Sequence, residues 1–270
     1  MNQSDRLLQL QYRLAEVTAV VYMGAHVGIY GRLALGGAPD SVRIILLYSA
    51  ATAFYLATFY LAAALWKRGR SFWSLTLTAA MAVQMVSSST SLVLYVRGSA
   101  GMWEEAANLV AGPMTQLYVW SLFTYSLVAA GIAARGRPLR HGLILSMDDT
   151  WLSSLLTIGV IVALPLLVVL SATGAVEVDV AGGLIHLVNF WNPLIYVVLS
   201  GGYLMLYRIE GSATVRYLAY LFFLSVMAAV TGGLAAAVGT MSGPGQVLRV
   251  VSFTLPAAQI YLWLRATQEA

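Results

Sequence analysis

The chain has 270 residues, of which 60% are hydrophobic and only 10% charged, and its mean hydropathy is +0.79. Soluble domains carry about 25% charged residues, so this composition excludes an ordinary soluble protein. The lack of cysteine excludes disulfides, thiolate metal sites and redox-active thiols, and the net charge of +4 includes no basic cluster of the kind that binds nucleic acid.

Apolar runs long enough to cross a bilayer recur along the whole chain. A span of about 20 apolar residues must be helical, because its backbone N–H and C=O groups find no other partner in hydrocarbon. Eight such spans lie near residues 15–36, 43–66, 72–96, 106–134, 151–174, 183–207, 215–240 and 247–265. Residues 1–14 carry no secretory signal and are expected to form an amphipathic lead into the first span. The sequence therefore predicts an all-α integral membrane protein with eight transmembrane helices.

The distribution of basic residues predicts the orientation, because cytoplasmic segments are enriched in lysine and arginine. With the N-terminus inside, eleven of the fifteen fall in inner segments: Arg6, Arg13, Lys67, Arg68, Arg70, Arg135, Arg137, Arg140, Arg208, Arg216 and Arg265. The outer segments keep Arg32, Arg43, Arg97 and Arg249. An even number of spans returns both ends to one side. We therefore expect a multi-pass plasma-membrane protein with both termini in the cytoplasm.

One sequence motif, placed on a predicted helix, occurs twice in the chain. The residues Pro113, Gln116, Tyr118 and Trp120 recur 143 positions later as Pro256, Gln259, Tyr261 and Trp263. The same offset places the third predicted span on the seventh and the second on the sixth. This pattern predicts two tandem parallel four-helix repeats, related by an axis along the membrane normal. The first repeat would cover 1–135, a cytoplasmic linker 136–150, and the second repeat 151–270.

The repeated motif has two interpretations. Residues at i, i+3 and i+7 share a helix face, so Gln116 and Trp120 lie on one stripe, as do their counterparts Gln259 and Trp263. A glutamine at membrane depth usually hydrogen-bonds to a neighbouring helix, which makes it a packing clamp. Alternatively, either glutamine forms the polar wall of a ligand cavity.

A histidine lies within the first predicted span, His26, beside the Gly24-x-x-x-Gly28 pair that is typical of close helix packing. It is either a hydrogen-bonded interior residue or a ligand-binding one. A bis-histidine haem would need His186 at equal depth. At 1.5 Å per residue, His26 lies roughly 15 Å below the outer edge and His186 about 5 Å, so only haem ligation through His26 alone remains an alternative.

Two other polar patches occur within predicted spans. The run of hydroxyl residues 87–91, which includes Ser88, either packs tightly against a neighbouring helix or lines a solvated cavity. Asn189, Asn192 and Pro193 mark the sixth span as broken or polar near its outer third.

Several function classes are disfavoured by what the predicted spans lack. Apart from Glu16 at the inner end of the first span, they contain no Asp or Glu, which disfavours a cation-coupled pump. The sole lysine, Lys67, lies in a predicted loop, so no retinal Schiff base can form within a helix. No zinc spacing, phosphate loop or Gly-x-Ser-x-Gly elbow is present, so a self-contained enzyme is not expected.

The expected function is that of an integral subunit of a larger membrane complex. Such a subunit either holds a quinone, a haem or another apolar ligand, as in a complex of the electron-transfer kind, or only docks partner subunits. The alternatives are a facilitator or channel for a small neutral solute, and the membrane module of a sensor. The candidate ligand-binding residues are His26, Ser88, Gln116, Asn192 and Gln259. Membrane lipids and other subunits, or further copies of the chain, are the expected partners.

Overall fold

A computed structural model describes residues 3–34, 41–97, 112, 114–134, 180–239 and 243–270. These residues form seven helices and no strand: α1 (Gln3–Ala34), α2 (Ser41–Gly69), α3 (Phe72–Arg97), α4 (Thr115–Ala134), α5 (Val180–Glu210), α6 (Ala213–Val238) and α7 (Gly243–Gln268). The all-helical prediction is confirmed for this part of the chain. Pro113, the linker 136–150 and the predicted span 151–174 lie outside the described residues, as do the side chains of His186 and Asn189.

Four of these helices, α2, α3, α6 and α7, are long and apolar enough to cross a membrane, by length and composition. Their bounds agree with the predicted spans to within four residues at each end. Their outward faces expose large apolar side chains, among them Leu46, Val86, Phe223 and Val251. Exposing such apolar surfaces to water is unfavourable, whereas exposing them to lipid is not, so the molecule fits a membrane-spanning protein.

The segment that leads into the first predicted span is continuous with it, because α1 runs without interruption from Gln3 to Ala34. Asn192 and Pro193 do not break the sixth predicted span, because α5 continues through both as a helix of 31 residues. Proline removes one backbone donor and one helical hydrogen bond, but the remaining bonds and the packing of α5 maintain the helix.

Tight turns join two pairs of helices. Only residues 70 and 71 separate α2 from α3, and Arg70 adopts a positive φ of 49°. Residues 211 and 212 separate α5 from α6, and Gly211 (φ 67°) donates its N–H to the carbonyl of Tyr207 at 2.8 Å, which ends α5. Glycine is suited to this position because it adopts a positive φ without steric strain. Connections this short make the joined helices antiparallel neighbours.

The helices pack in chain order, and α7 returns to pack against α1. Helices that follow one another in chain order are antiparallel, except α4 and α5. Gln116 contacts Tyr196, and Phe123 contacts Tyr203, with a separation of 80 residues in both cases. A constant separation means that α4 and α5 run in the same direction. The end of α4 at Ala134 and the start of α5 at Val180 therefore lie at opposite ends of the bundle.

An aromatic cluster forms the centre of the bundle. Phe123 of α4 is fully buried, and its ring lies 6.3 Å from Tyr203, 5.2 Å from Phe222 and 5.5 Å from Trp263, measured between centroids. Contacts of this kind contribute about 0.5–1.5 kcal/mol each beyond the area they bury. The cluster joins α4, α5, α6 and α7.

Charged and polar contacts tie α1, α2 and α7 together at one end of the bundle. Asp5 pairs with Arg68, Gln268 donates to Glu16 at 2.9 Å, and Tyr12 donates to the carbonyl of Gln268 at 3.2 Å. We call this end the basic end, because eight of the described lysine and arginine residues lie there: Arg6, Arg13, Lys67, Arg68, Arg70, Arg208, Arg216 and Arg265.

The opposite end of the bundle holds the four described arginines that the sequence assigns to outer segments.

At the basic end, desolvation raises the pKa of the Glu210 carboxyl above its usual value, although a hydrogen bond from Trp73 lowers it in part. Trp73 belongs to α3 and Glu210 ends α5. This hydrogen bond therefore joins the two turns that lie at the basic end.

Candidate functional site

A cavity of about 150 Å³ lies among α1, α2 and α3. From α1 it is lined by Tyr22, His26 and Tyr30, which are spaced four residues apart and so share one helix face. The other lining residues are Leu47, Tyr48, Ala51 and Tyr55 of α2 and Gln84, Ser87, Ser88 and Ser91 of α3. The wall is thus rich in hydroxyl groups and aromatic rings, and none of these eleven residues is an acid, a lysine or an arginine.

The cavity lies inside the helical length of the bundle, away from the basic end. At 1.5 Å per residue, His26 lies about 12 Å from the end of α1 at Ala34. Ser88 lies about 14 Å from the end of α3 at Arg97. A group bound between them would be surrounded by helices rather than by loops.

His26 is the most unusual group of the wall. Its ring lies 4.3 Å from that of Tyr30 and 6.2 Å, edge on, from that of Tyr22, and the residue is only 8% exposed. The backbone of Phe253 on α7 lies close to the ring. Both ring nitrogens are nevertheless buried and, within the described part of the chain, have no hydrogen-bond partner at good geometry. Leaving a buried polar group unsatisfied costs about 1–3 kcal/mol, and a bound ligand or water removes that cost.

The tyrosines of the wall are held by each other and by the serine run. Tyr22 and Tyr55 share a side-chain hydrogen bond, and their ring centroids are 5.9 Å apart. Tyr48 is hydrogen-bonded to Ser91 and stacks on Tyr95 at 5.4 Å. The phenol rings are therefore positioned before any ligand enters.

Ser88 lies in the same wall as His26, so two of the five predicted site residues come together. Its hydroxyl donates to the carbonyl of Met85 at 3.1 Å and accepts a hydrogen bond from Thr52 at 3.2 Å. Ser87 and Ser91 are also buried at this wall. Three of the five hydroxyl residues of this run therefore line the cavity, and Ser88 also contacts α2 through Thr52.

Gln116 and Asn192 lie elsewhere, at the contact between α4 and α5. Gln116 donates its side-chain amide to the hydroxyl of Tyr196, whose ring lies 6.4 Å, edge on, from that of Trp120. Asn192 precedes Tyr196 by one helical turn, and its Oδ1 is buried without a partner among the described residues. The contact made by Gln116 is that of a clamp between helices.

Gln259 occupies a third position. It donates to the hydroxyl of Ser225 at 2.9 Å, which joins α7 to α6. The two glutamines of the repeated motif therefore clamp different helix pairs, α4 to α5 and α6 to α7. Neither of them lines the α1–α3 cavity.

Sequence reasoning missed most of the cavity wall, including Tyr22, Tyr30, Tyr55 and Gln84. One signal was present, since Tyr22, His26 and Tyr30 follow each other at intervals of four residues. Such a stripe marks a single helix face that combines rings with polar groups, and it indicated a candidate ligand-facing surface as much as His26 alone did.

The size of the cavity limits what it can hold. An engineered protein cavity of about 150 Å³ binds benzene, so a single six-membered ring fits a space of this size. A haem has four fused pyrrole units and does not fit, which argues against haem ligation by His26 at this site. Among the described residues, no three His, Asp or Glu side chains are grouped as metal ligands.

Comparison with known proteins finds no family model, no curated protein and no solved structure that matches the chain. A fold by itself also leaves function open, because one architecture can host many activities. The residues of the cavity are therefore the basis for inferring what the protein does.

Proposed function

We propose that this chain is an integral membrane protein that binds a small neutral ring, best represented by a quinone head group, in the α1–α3 cavity. The observation that carries this proposal is His26, whose two ring nitrogens are buried, lack partners in the described structure and lie at the cavity wall. A quinone presents two carbonyl oxygens, which accept hydrogen bonds. Imidazole N–H, phenol O–H and serine O–H groups are suitable donors.

The lack of charge in the wall supports a neutral ligand. A charged ligand at this depth would need an opposite charge beside it, because burying an unpaired ion is costly. The wall instead offers the rings of Tyr22, Tyr30 and Tyr55. Flat aromatic side chains pack well against a planar ring, and a ring is the shape that the volume admits.

We further propose that the protein works as a subunit of a larger membrane complex of the electron-transfer kind. A quinone exchanges electrons only with a redox partner, and this proposal assigns that partner to another subunit. The large apolar faces of α2, α5 and α6, which include Leu46, Met205 and Phe223, can contact lipid or neighbouring subunits. In this arrangement the chain binds and orients the ring.

We also propose that the complete architecture is eight transmembrane helices in two tandem four-helix repeats, 1–135 and 151–270, with 136–150 as the linker. The parallel direction of α4 and α5 supports it, because it places the two ends of the interval from Ala134 to Val180 at opposite ends of the bundle. That interval contains 151–174, which is apolar, free of charged residues and about 36 Å long as a helix. The enrichment of arginine at the basic end supports a cytoplasmic location for both termini.

Binding of a quinone without a side chain tests the function. We would titrate the purified protein with 2,3-dimethoxy-5-methyl-1,4-benzoquinone by calorimetry, for the natural chain, His26→Leu and Gln259→Leu. We expect the first substitution to weaken binding at least about tenfold, which corresponds to about 1.4 kcal/mol, because it removes a donor from the wall. The second, which also replaces a polar residue but lies outside the cavity, should leave binding unchanged.

Two results would contradict the proposal. One is an undetectable affinity of the natural chain for the benzoquinone. The other is equal binding by the natural chain and His26→Leu. In either case, flux of small neutral solutes into liposomes becomes the assay for the alternative function.

A further inference from the structure

A second hollow, of about 380 Å³, lies between α1 and α2. It is lined by Ala25, Gly28 and Ile29 of α1 and by Arg43 and Leu46 of α2. Arg43 lies at one end of the hollow, two residues inside the start of α2. The other four residues form an apolar wall. We call this hollow the α1–α2 groove.

The groove borders the ring cavity on the same two helices. On α1, Ala25 and Ile29 of the groove immediately precede His26 and Tyr30 of the cavity. On α2, Leu46 of the groove precedes Leu47 of the cavity. Adjacent residues of a helix lie on neighbouring faces, so the two spaces lie side by side along one helix pair.

The groove is open on its outer side. Gly28 is exposed, and a Cβ atom added there would meet no atom within 4 Å. Gly24, one turn earlier on α1, has the same open surroundings. In the described structure, this glycine pair therefore does not serve the close helix packing for which its spacing is typical. The missing side chains leave space that a slender apolar group can enter.

We infer that the ligand is amphiphilic: its ring occupies the cavity beside His26, and an alkyl or isoprenoid chain leaves through the α1–α2 groove. This inference rests on the proposed function. A neutral ring would reach the cavity from the hydrocarbon phase, and a chain attached to it must pass between helices. The groove is the apolar hollow that borders the cavity on α1 and α2, and alkyl carbons buried in it would gain about 0.8 kcal/mol per CH₂ relative to water.

The burial of His26 supports the same division of roles. A residue only 8% exposed, with both nitrogens unpartnered in the described residues, is a polar contact for a head group. The groove wall offers only the guanidinium of Arg43 at one end and apolar groups along the rest. A molecule with a hydrogen-bonding ring and an apolar chain matches both surfaces.

Substitutions at Gly28 test binding of the ligand's alkyl chain separately from binding of its ring. Gly28→Leu would fill the groove without touching the cavity, and leucine favours helix over glycine by about 0.8 kcal/mol, so folding should be preserved. Gly201→Leu on α5 is the matched control, because Gly201 is likewise exposed and its added Cβ would meet no atom within 4 Å. Gly28→Ala provides a smaller step at the same position.

The probes are two benzoquinones with the same ring, one without a side chain and one with a decyl chain, measured in the same detergent. We expect Gly28→Leu to weaken binding of the decyl probe at least about tenfold and to change binding of the other probe less than about twofold. Gly28→Ala should have an intermediate effect, and Gly201→Leu should change neither affinity.

The inference fails if Gly28→Leu affects the two probes equally or affects neither. It also fails if the natural protein binds the decyl probe no more tightly than the probe without a side chain. It fails as well if decanol displaces the decyl probe as effectively as the benzoquinone without a side chain does, because the groove would then be a site for any lipid chain. In all these cases the ring-binding proposal stands, provided that the probe without a side chain still requires His26. If neither probe binds the natural chain, the proposed function itself fails.

Discussion

The hydroxyl of Tyr203 on α5 donates a hydrogen bond to the backbone carbonyl of Phe123 on α4, at 3.0 Å, and both side chains are fully buried. A carbonyl oxygen has two lone pairs, so one within a helix can accept this bond in addition to its helical one. Gln116 and Tyr196 form a second bond seven residues earlier on both helices. These two bonds fix the register of α4 and α5, the described helices that follow one another in chain order and run in the same direction.

Removing the Tyr203 hydroxyl should weaken the α4–α5 contact. We expect Tyr203→Phe to lower the free energy of unfolding by about 0.5–1.5 kcal/mol, because the hydrogen bond is lost while the ring contacts remain. Denaturation of the purified protein in mild detergent measures this loss. Tyr60→Phe is the control, since Tyr60 is the counterpart of Tyr203 at the 143-residue offset and is 55% exposed. Equal losses for both variants would contradict a specific role for the Tyr203 bond.

The two motif glutamines should behave as clamps. Gln116→Leu and Gln259→Leu each break one bond between helices, to Tyr196 and to Ser225 respectively. We expect each to lower stability by about 0.6–2 kcal/mol and to leave ring binding intact. Thermal unfolding and calorimetry on the same preparations distinguish the two effects. Loss of ligand in one variant without loss of stability would instead make that glutamine a cavity wall.

His26 should be required for binding and dispensable for folding. His26→Leu replaces a ring with two unpartnered buried nitrogens by an apolar side chain. We expect the ligand-free variant to be as stable as the natural protein, or more stable by about 1–3 kcal/mol, because the cost of desolvating the imidazole nitrogens disappears. Thermal unfolding without ligand tests this. A clear loss of stability would show that the nearby Phe253 backbone already uses the imidazole as a structural partner.

Single cysteines can report the orientation of the bundle, since the natural chain has none. Ser71→Cys and Ser212→Cys lie in the two turns at the basic end, and Gly243→Cys lies at the opposite end, where α7 begins. We expect a membrane-impermeant maleimide to label residue 243 on intact cells and the other two only after permeabilisation. The reverse pattern would overturn the predicted orientation, and labelling of residues 71 and 212 from opposite sides would contradict the fold.

The helical class and most helix bounds were predictable from hydropathy. The bounds of α2, α3, α6 and α7 depend on where long apolar runs begin and end, and each run must satisfy its own backbone in hydrocarbon. His26 and Ser88 were recognisable as polar groups in apolar runs, because burying such groups has a cost that usually indicates a role.

The cavity itself depended on tertiary packing. Tyr22, Tyr55 and Gln84 lie on three helices, and whether they meet depends on how each helix rotates about its axis. That rotation is decided by contacts between helices, which local patterns do not encode, and the same contacts placed Gln116 and Gln259 against different partners despite their shared motif. Hydropathy thus determines that helices form, because each satisfies its own backbone, whereas the faces that meet are decided only when all the helices pack together.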